Sequence, residues 1–168
     1  MNAINEPRLA DVSIFASLQE AEALIEAGHV AAASALYRSL LERDLTPSQR
    51  GEVLTNLGAA LCLAARGRKD PAGLAQLNQA RDLLTLAIAC RPRRDAPAAW
   101  AISRANLALV YLARCESFGN ATDLLSAHLA LDGTEKAARE LGDAALLDWL
   151  TAIRYHLAEM RERRRNPR

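Results

Sequence analysis

Apolar residues along this chain recur at intervals of three and four, the period of a helix with one buried face. The clearest run is the last, where Leu146, Leu150, Ile153, Leu157 and Met160 line up along one side. A second stripe carries Trp100, Leu107, Val110 and Tyr111. Breakers and capping residues divide the chain into about seven predicted helices. The first covers residues 9–27 and stops at Gly28, a residue suited to the left-handed conformation after a helix. The second covers 30–44, and the third begins at Thr46-Pro47-Ser48-Gln49 and runs to 66. That tetrapeptide combines a capping hydroxyl, a proline in the first turn and a Gln placed to reach back.

A polar loop follows at 67–71, and Asp70-Pro71 opens a fourth helix that reaches 91, where Pro92 prevents its continuation. Asp95 with Pro97 opens a fifth, expected to end at Cys115 before the Ser117-Phe118-Gly119-Asn120 turn. The sixth, 121–141, contains Asp132-Gly133-Thr134. That triplet reads equally as a kink or as a break, since an interior glycine costs only about 1 kcal/mol and Asp or Thr caps a restarted helix. Gly142-Asp143 precedes the seventh helix, which is expected to fray after Met160 into a basic tail, 161–168, with Arg161, Arg163, Arg164, Arg165 and Arg168.

The helices also repeat. Thr55-Asn56-Leu57-Gly58-Ala59 recurs fifty positions later as Ala105-Asn106-Leu107-Ala108-Leu109, and more faintly as Tyr155-His156-Leu157-Ala158-Glu159. A helical pattern with a period of that order predicts a solenoid, in which each unit buries its apolar face only against its neighbours. Composition agrees: of 168 residues, 51% are hydrophobic, chiefly Ala and Leu, and 4% are aromatic. That mixture favours one domain of closely packed helices, an all-α protein, over a sheet rich in Val, Thr and Tyr.

The run from Asn56-Leu57-Gly58 through Leu61, then Ala80, Leu84, Ala87 and Pro92, resembles a tetratricopeptide repeat. Asn106-Leu107-Ala108 with Tyr111, Ala130 and Ala137 resembles a second copy, and Gly28, Ala33, Tyr37, Leu40 and Pro47 resemble the back half of an earlier one. The spacing near fifty exceeds the 34 residues of the ordinary repeat and is closer to the extended variant of the family. The resemblance spans residues 9–160, leaving 1–8 as an N-terminal extension. It implies a right-handed α-solenoid of antiparallel hairpins whose first helices line a concave groove. It also implies that Asn56 and Asn106, with His156 as their echo and Gln19 under a looser alignment, face that groove and bond a ligand's main chain. An amide offers donor and acceptor together, which suits such readout. The alternative is that each Asn ties neighbouring helices together.

Arg50, Arg66, Arg104 and Arg154 lie on or beside the same helices, and the last two share the fifty-residue offset. They are candidates for a carboxylate clamp, since guanidinium binds carboxylate bidentately; the plainer reading is a solvated face. The family's known clamp for C-terminal carboxylates is incomplete here. Leu63, Leu109 and Leu112 are the candidate apolar contacts for a ligand's side chains. Trp100, Trp149 and Tyr155 are either ligand anchors or core.

Nothing assembles a reaction centre. His29, His128 and His156 are scattered, there is no HExxH, GxSxG, P-loop or GxGxxG, and no metal or other cofactor is expected. Cys62, Cys90 and Cys115 are odd in number and widely spaced, as in a reducing compartment, and no run approaches a membrane span, so the expected location is cytoplasmic. A net charge of +1 makes nucleic acid an unlikely partner overall. The expected function is a non-enzymatic adaptor that binds a peptide or protein segment in the groove. The alternatives are a small chaperone for a secreted or assembled partner and a nucleic-acid-associated regulator acting through the arginine tail. Self-association through a poorly capped end is a further option.

Overall fold

The computed structural model describes residues 9–166, and every regular element in that span is helical. The order is α1 Leu9–Glu26, α2 Val30–Leu41, α3 Pro47–Ala65, α4 Pro71–Cys90, α5 Pro97–Phe118, α6 Thr122–Ala130, α7 Thr134–Leu141 and α8 Ala144–Arg165. The all-α expectation is borne out. The extension at 1–8 and the last two residues of the tail lie outside the described residues.

Local chemistry explains the starts. At α3 the Gln49 N–H donates to Thr46 Oγ1 at 3.3 Å while the Thr46 N–H donates to Gln49 Oε1 at 2.9 Å, a reciprocal box that satisfies two otherwise unpaired donors. At α4 the Gly73 N–H donates to Asp70 Oδ1 at 2.6 Å, and Arg68 pairs with the same carboxylate at 3.0 Å. The Gly73 N–H first, and Arg68 second, hold the Asp70 carboxyl below the ordinary carboxylate range. Asp143 caps α8 in the same way, accepting from the Leu146 N–H at 2.9 Å.

Two expectations change. The helix anticipated over 121–141 is two helices, because Gly133 turns to φ +74° and the chain leaves the right-handed region there. The basic segment after Met160 does not fray at once: α8 continues through Arg165, with Arg163 3.8 Å from Glu159 one turn earlier and Arg164 donating to the Gly119 carbonyl. Arginines in a last helical turn also complement the negative end of the helix dipole.

From α1 to α6 each helix packs on the next, α7 packs on α5 and α8, and α3, α5 and α8 additionally touch in order, α3 on α5 and α5 on α8. The tightest seam is α3 on α4. Gly58 lies so close to α4 that a Cβ built there falls 2.7 Å from Leu84 Cγ and 3.3 Å from the Ala80 carbonyl oxygen. Fully buried alanines such as Ala80, Ala101, Ala105 and Ala108 let neighbouring helices approach at other seams.

One buried polar group locks the middle of the molecule. Arg91, just past α4, is 9% exposed and sends Nη2 to Thr55 Oγ1 at 2.6 Å, to the Gly51 carbonyl at 3.0 Å and to Ser103 Oγ at 3.3 Å. Thr55 and Ser103 in turn share a hydrogen bond of 2.8 Å, so α3, the end of α4 and α5 meet in one network. Arg91 packs directly on Gly51, where a Cβ would lie 2.8 Å from Arg91 Nε.

Candidate functional site

One face of α3 presents Asn56, Ala59, Leu63 and Arg66, at the three- and four-residue spacing that stacks side chains on a helix. From the far side α5 contributes Asn106, Leu109, Leu112 and Glu116, and α8 contributes Trp149, Ile153 and His156. Between them is a cavity of about 330 Å³, open to solvent and predominantly apolar. Leu63 is 48% exposed at its edge, whereas Leu112 is buried in its floor. A leucine left half in water beside an empty apolar hollow is a surface ready to be covered.

A second hollow of about 320 Å³ lies on the other side of α3, lined by Glu22, Ile25 and Glu26 of α1, Tyr37 of α2, and Asn56 and Leu63. Ala59 and Leu63 line both hollows, which therefore flank the same stretch of α3. The small side chain of Ala59 keeps the saddle between them low.

Polar groups on this face are partly engaged. Asn106 Nδ2 donates to the Ile102 carbonyl one turn earlier at 3.0 Å. Burial first and Glu22 second push the titration of the Tyr37 hydroxyl up, while the Asn56 side chain beside it holds it down. His156 Nε2 and Glu116 Oε1 lie 2.9 Å apart, joining α8 to α5 across the rim. Cys62 lines the same cavity, and burial pushes its thiol up to about 11, so it is protonated and unreactive near neutrality.

Of the eight candidates read from the sequence, the first cavity brings together Leu63, Asn106, Leu109, Leu112 and His156, and the second holds Asn56 with Leu63. Arg104 and Arg154 are the correction. Arg104 Nε donates to the Ala130 carbonyl at 2.8 Å and its Nη2 to that of Leu129, while Arg154 Nη2 donates to the Leu131 carbonyl at 2.9 Å. Arg154 also pairs with Glu135 at 2.8 Å. A helix end leaves its last carbonyls without intrahelical partners; where α6 stops, Arg104 takes that of Ala130, and the two arginines add to the local bonds from Asp132 and Thr134 at Leu129 and Leu131. Their shared offset reflects two adjoining helices, α5 and α8, reaching the same helix terminus, and neither lines the groove.

Arg66 does line the first cavity; Arg50 and Gln19 line neither hollow. Trp149 faces the groove, whereas Trp100 lies beneath Arg104 at 4.9 Å and Arg93 at 5.5 Å, and Tyr155 is 70% exposed elsewhere on α8. Nothing in the sequence pattern placed Glu22, Glu26, Tyr37, Cys62 or Glu116 at this face. For the first two there was a signal of use, though not of place: like charges at i and i+4 with no Lys or Arg a turn away destabilise a helix unless something else uses them.

Among the described residues no group of three or more His, Cys, Asp or Glu is placed to hold a metal ion, and no helix is long and apolar enough to cross a membrane. Comparison with known proteins finds no matching family model, no similar curated protein and no similar solved structure.

Proposed function

We propose that this chain is a non-enzymatic binding module of tetratricopeptide-like solenoid form that takes a peptide or protein segment across the face made by α3, α5 and α8. The observation that carries this reading is the half-exposed Leu63 set between two open hollows, with Leu109 and Trp149 turned toward the same space. Supporting it, α3, α5 and α8 adjoin in order, as first helices of successive hairpins do in a solenoid, and α3 meets α4 through the small residue Gly58. Apolar side chains of the ligand enter the hollows. Its main chain is read by whatever bonding capacity Asn56 and Asn106 retain.

Selection of random twelve-residue peptides displayed on phage against the wild-type protein tests the reading, with Leu63→Asp as the counter-target. Leu63 is half in water already, so the charge is compatible with the fold, and circular dichroism checks that it is. Clones that bind the wild type and not Leu63→Asp support the groove. Clones insensitive to that change, or none at all, overturn it.

A further inference from the structure

The groove has two chemically distinct ends. On the α5 and α8 side the hollow is predominantly apolar; its lining carries one guanidinium, Arg66, and one carboxylate, Glu116, which is paired with His156 at 2.9 Å. On the α1 side the hollow carries Glu22 and Glu26, both exposed, and neither forms an ion pair with any described residue. Glu52, one turn before Asn56 on α3, adds a third negative charge near Tyr37. Glu22 and Glu52 also push the Tyr37 hydroxyl upward, secondary to its burial, as two negative charges near it must. Two like charges kept four residues apart on α1, uncompensated, are a cost to that helix on their own.

We propose, resting on the groove reading above, that the ligand is a cationic-apolar segment: one apolar side chain in the α3–α5–α8 hollow and a Lys or Arg against Glu22 and Glu26. The distance between the two positions follows from helix packing. The hollows lie on opposite sides of α3, so their centres are separated by about one interhelix distance, roughly 8–10 Å. A segment in the polyproline II conformation covers that in about three residues at roughly 3.1 Å each and, with three residues per turn, places side chains three positions apart on the same side. The segment therefore reads as an apolar residue and a basic residue three positions apart, crossing α3 over Ala59.

The test uses four synthetic hexapeptide pools labelled with fluorescein, acetylated and amidated at the ends, the remaining positions being equal mixtures of Ala, Ser and Gly. Two pools carry Leu and Lys three positions apart, one in each order, and two carry Leu and Glu in the same places. Fluorescence polarisation at low salt is expected to show one Lys pool binding at least threefold tighter than either Glu pool. That preference should vanish in Glu22→Gln, Glu26→Gln and weaken as added salt shortens the screening length from about 10 Å at 0.1 M to about 3 Å at 1 M. Both substitutions fall on exposed positions, so the fold is retained.

If binding is lost in Leu63→Asp but Lys and Glu pools bind alike, or the preference survives Glu22→Gln, Glu26→Gln, the charge assignment fails while the groove stands. If no pool shows binding that depends on Leu63, the groove reading itself fails. Sedimentation of the protein alone supplies the remaining outcome. A dimer that dissociates in Glu22→Gln, Glu26→Gln would mean that the cationic helix end of a second copy occupies the site, and would overturn the assignment to a separate peptide.

Discussion

Replacing Gly58 with alanine probes the seam that sets how α3 presents Asn56, Ala59 and Leu63. The new Cβ falls 2.7 Å from Leu84 Cγ and 3.2 Å from its Cδ2, closer than carbon atoms tolerate, and Leu84 is completely buried. Two effects oppose each other. Alanine in a helix interior is favoured over glycine by about 1 kcal/mol, whereas forcing a methyl into a packed core costs about 1–3 kcal/mol. The net expectation in the wild type is a loss of about 0–2 kcal/mol. Leu84→Ala alone should cost about 2–5 kcal/mol, the range for emptying a buried leucine site. In that background only the 3.3 Å approach to the Ala80 carbonyl remains, so Gly58→Ala should now stabilise by up to about 1 kcal/mol from helix propensity. The sign reverses, and the coupling between the two changes is about 1–3 kcal/mol. Urea unfolding of the four proteins, followed by far-UV circular dichroism with the slopes compared, measures it. If Gly58→Ala shifts stability alike in both backgrounds to within about 0.5 kcal/mol, α4 does not crowd α3 at this point and the seam is misread.

Arg104→Ala is expected to destabilise by about 1–2 kcal/mol, the scale of hydrogen bonds from a charged donor, and to raise amide exchange where α6 ends, without changing peptide binding in the groove. Loss of groove binding with α6 exchange unchanged would return Arg104 to the site. Cys62 should react with iodoacetamide about a hundredfold more slowly near pH 7 than an ordinary thiol, because lifting its titration from 9.0 to about 11 cuts the thiolate by two decades. Peptide mapping by mass spectrometry reads this, and labelling as fast as in the urea-unfolded chain contradicts it. Asp70 titrates below its unfolded value of 3.8, so its contribution to stability is present above that pH and is lost as the pH falls through the lower, folded value. Asp70→Ala should therefore lower the melting temperature at pH 7, and the gap from wild type should close in strong acid; a gap that persists there excludes the carboxylate as its origin.

The helices were largely legible because their signals act over one turn. Thr46 with Gln49, Asp70 with Pro71, and Asp143 each carry their capping partner within three residues, and each begins a helix as read. The triplet at Asp132-Gly133-Thr134 was ambiguous for the opposite reason. Whether a glycine kinks or ends a helix depends on who supplies the released carbonyls; Asp132 and Thr134 bond those of Leu129 and Leu131 locally, but the long-range suppliers are Arg104, 26 positions before Ala130, and Arg154, 23 positions after Leu131. No local window contains them. The tail was misread because the expectation of fraying ignored the helix-favouring run of Arg and Glu and the anchoring of Arg164 on Gly119.

For the candidate site the division follows the same line. Leu63, Leu109 and Asn106 were singled out by the repeat resemblance, and helical register supports their grouping, since residues at three- and four-residue spacing share a face whatever that face meets. Arg104 and Arg154 obey the same register yet point to the end of α6, and Arg91, which nothing local distinguishes from a surface arginine, is buried at the junction of three segments. The acidic end of the groove is lined jointly by α1, the buried Tyr37 of α2 and α3, a juxtaposition made by α1 and α3 both packing on α2 and absent from any single helix. Backbone periodicity and capping are properties of neighbouring residues and were written in the sequence. The choice of partner for each long polar side chain is a competition among groups brought together by packing, and only the tertiary structure decided it.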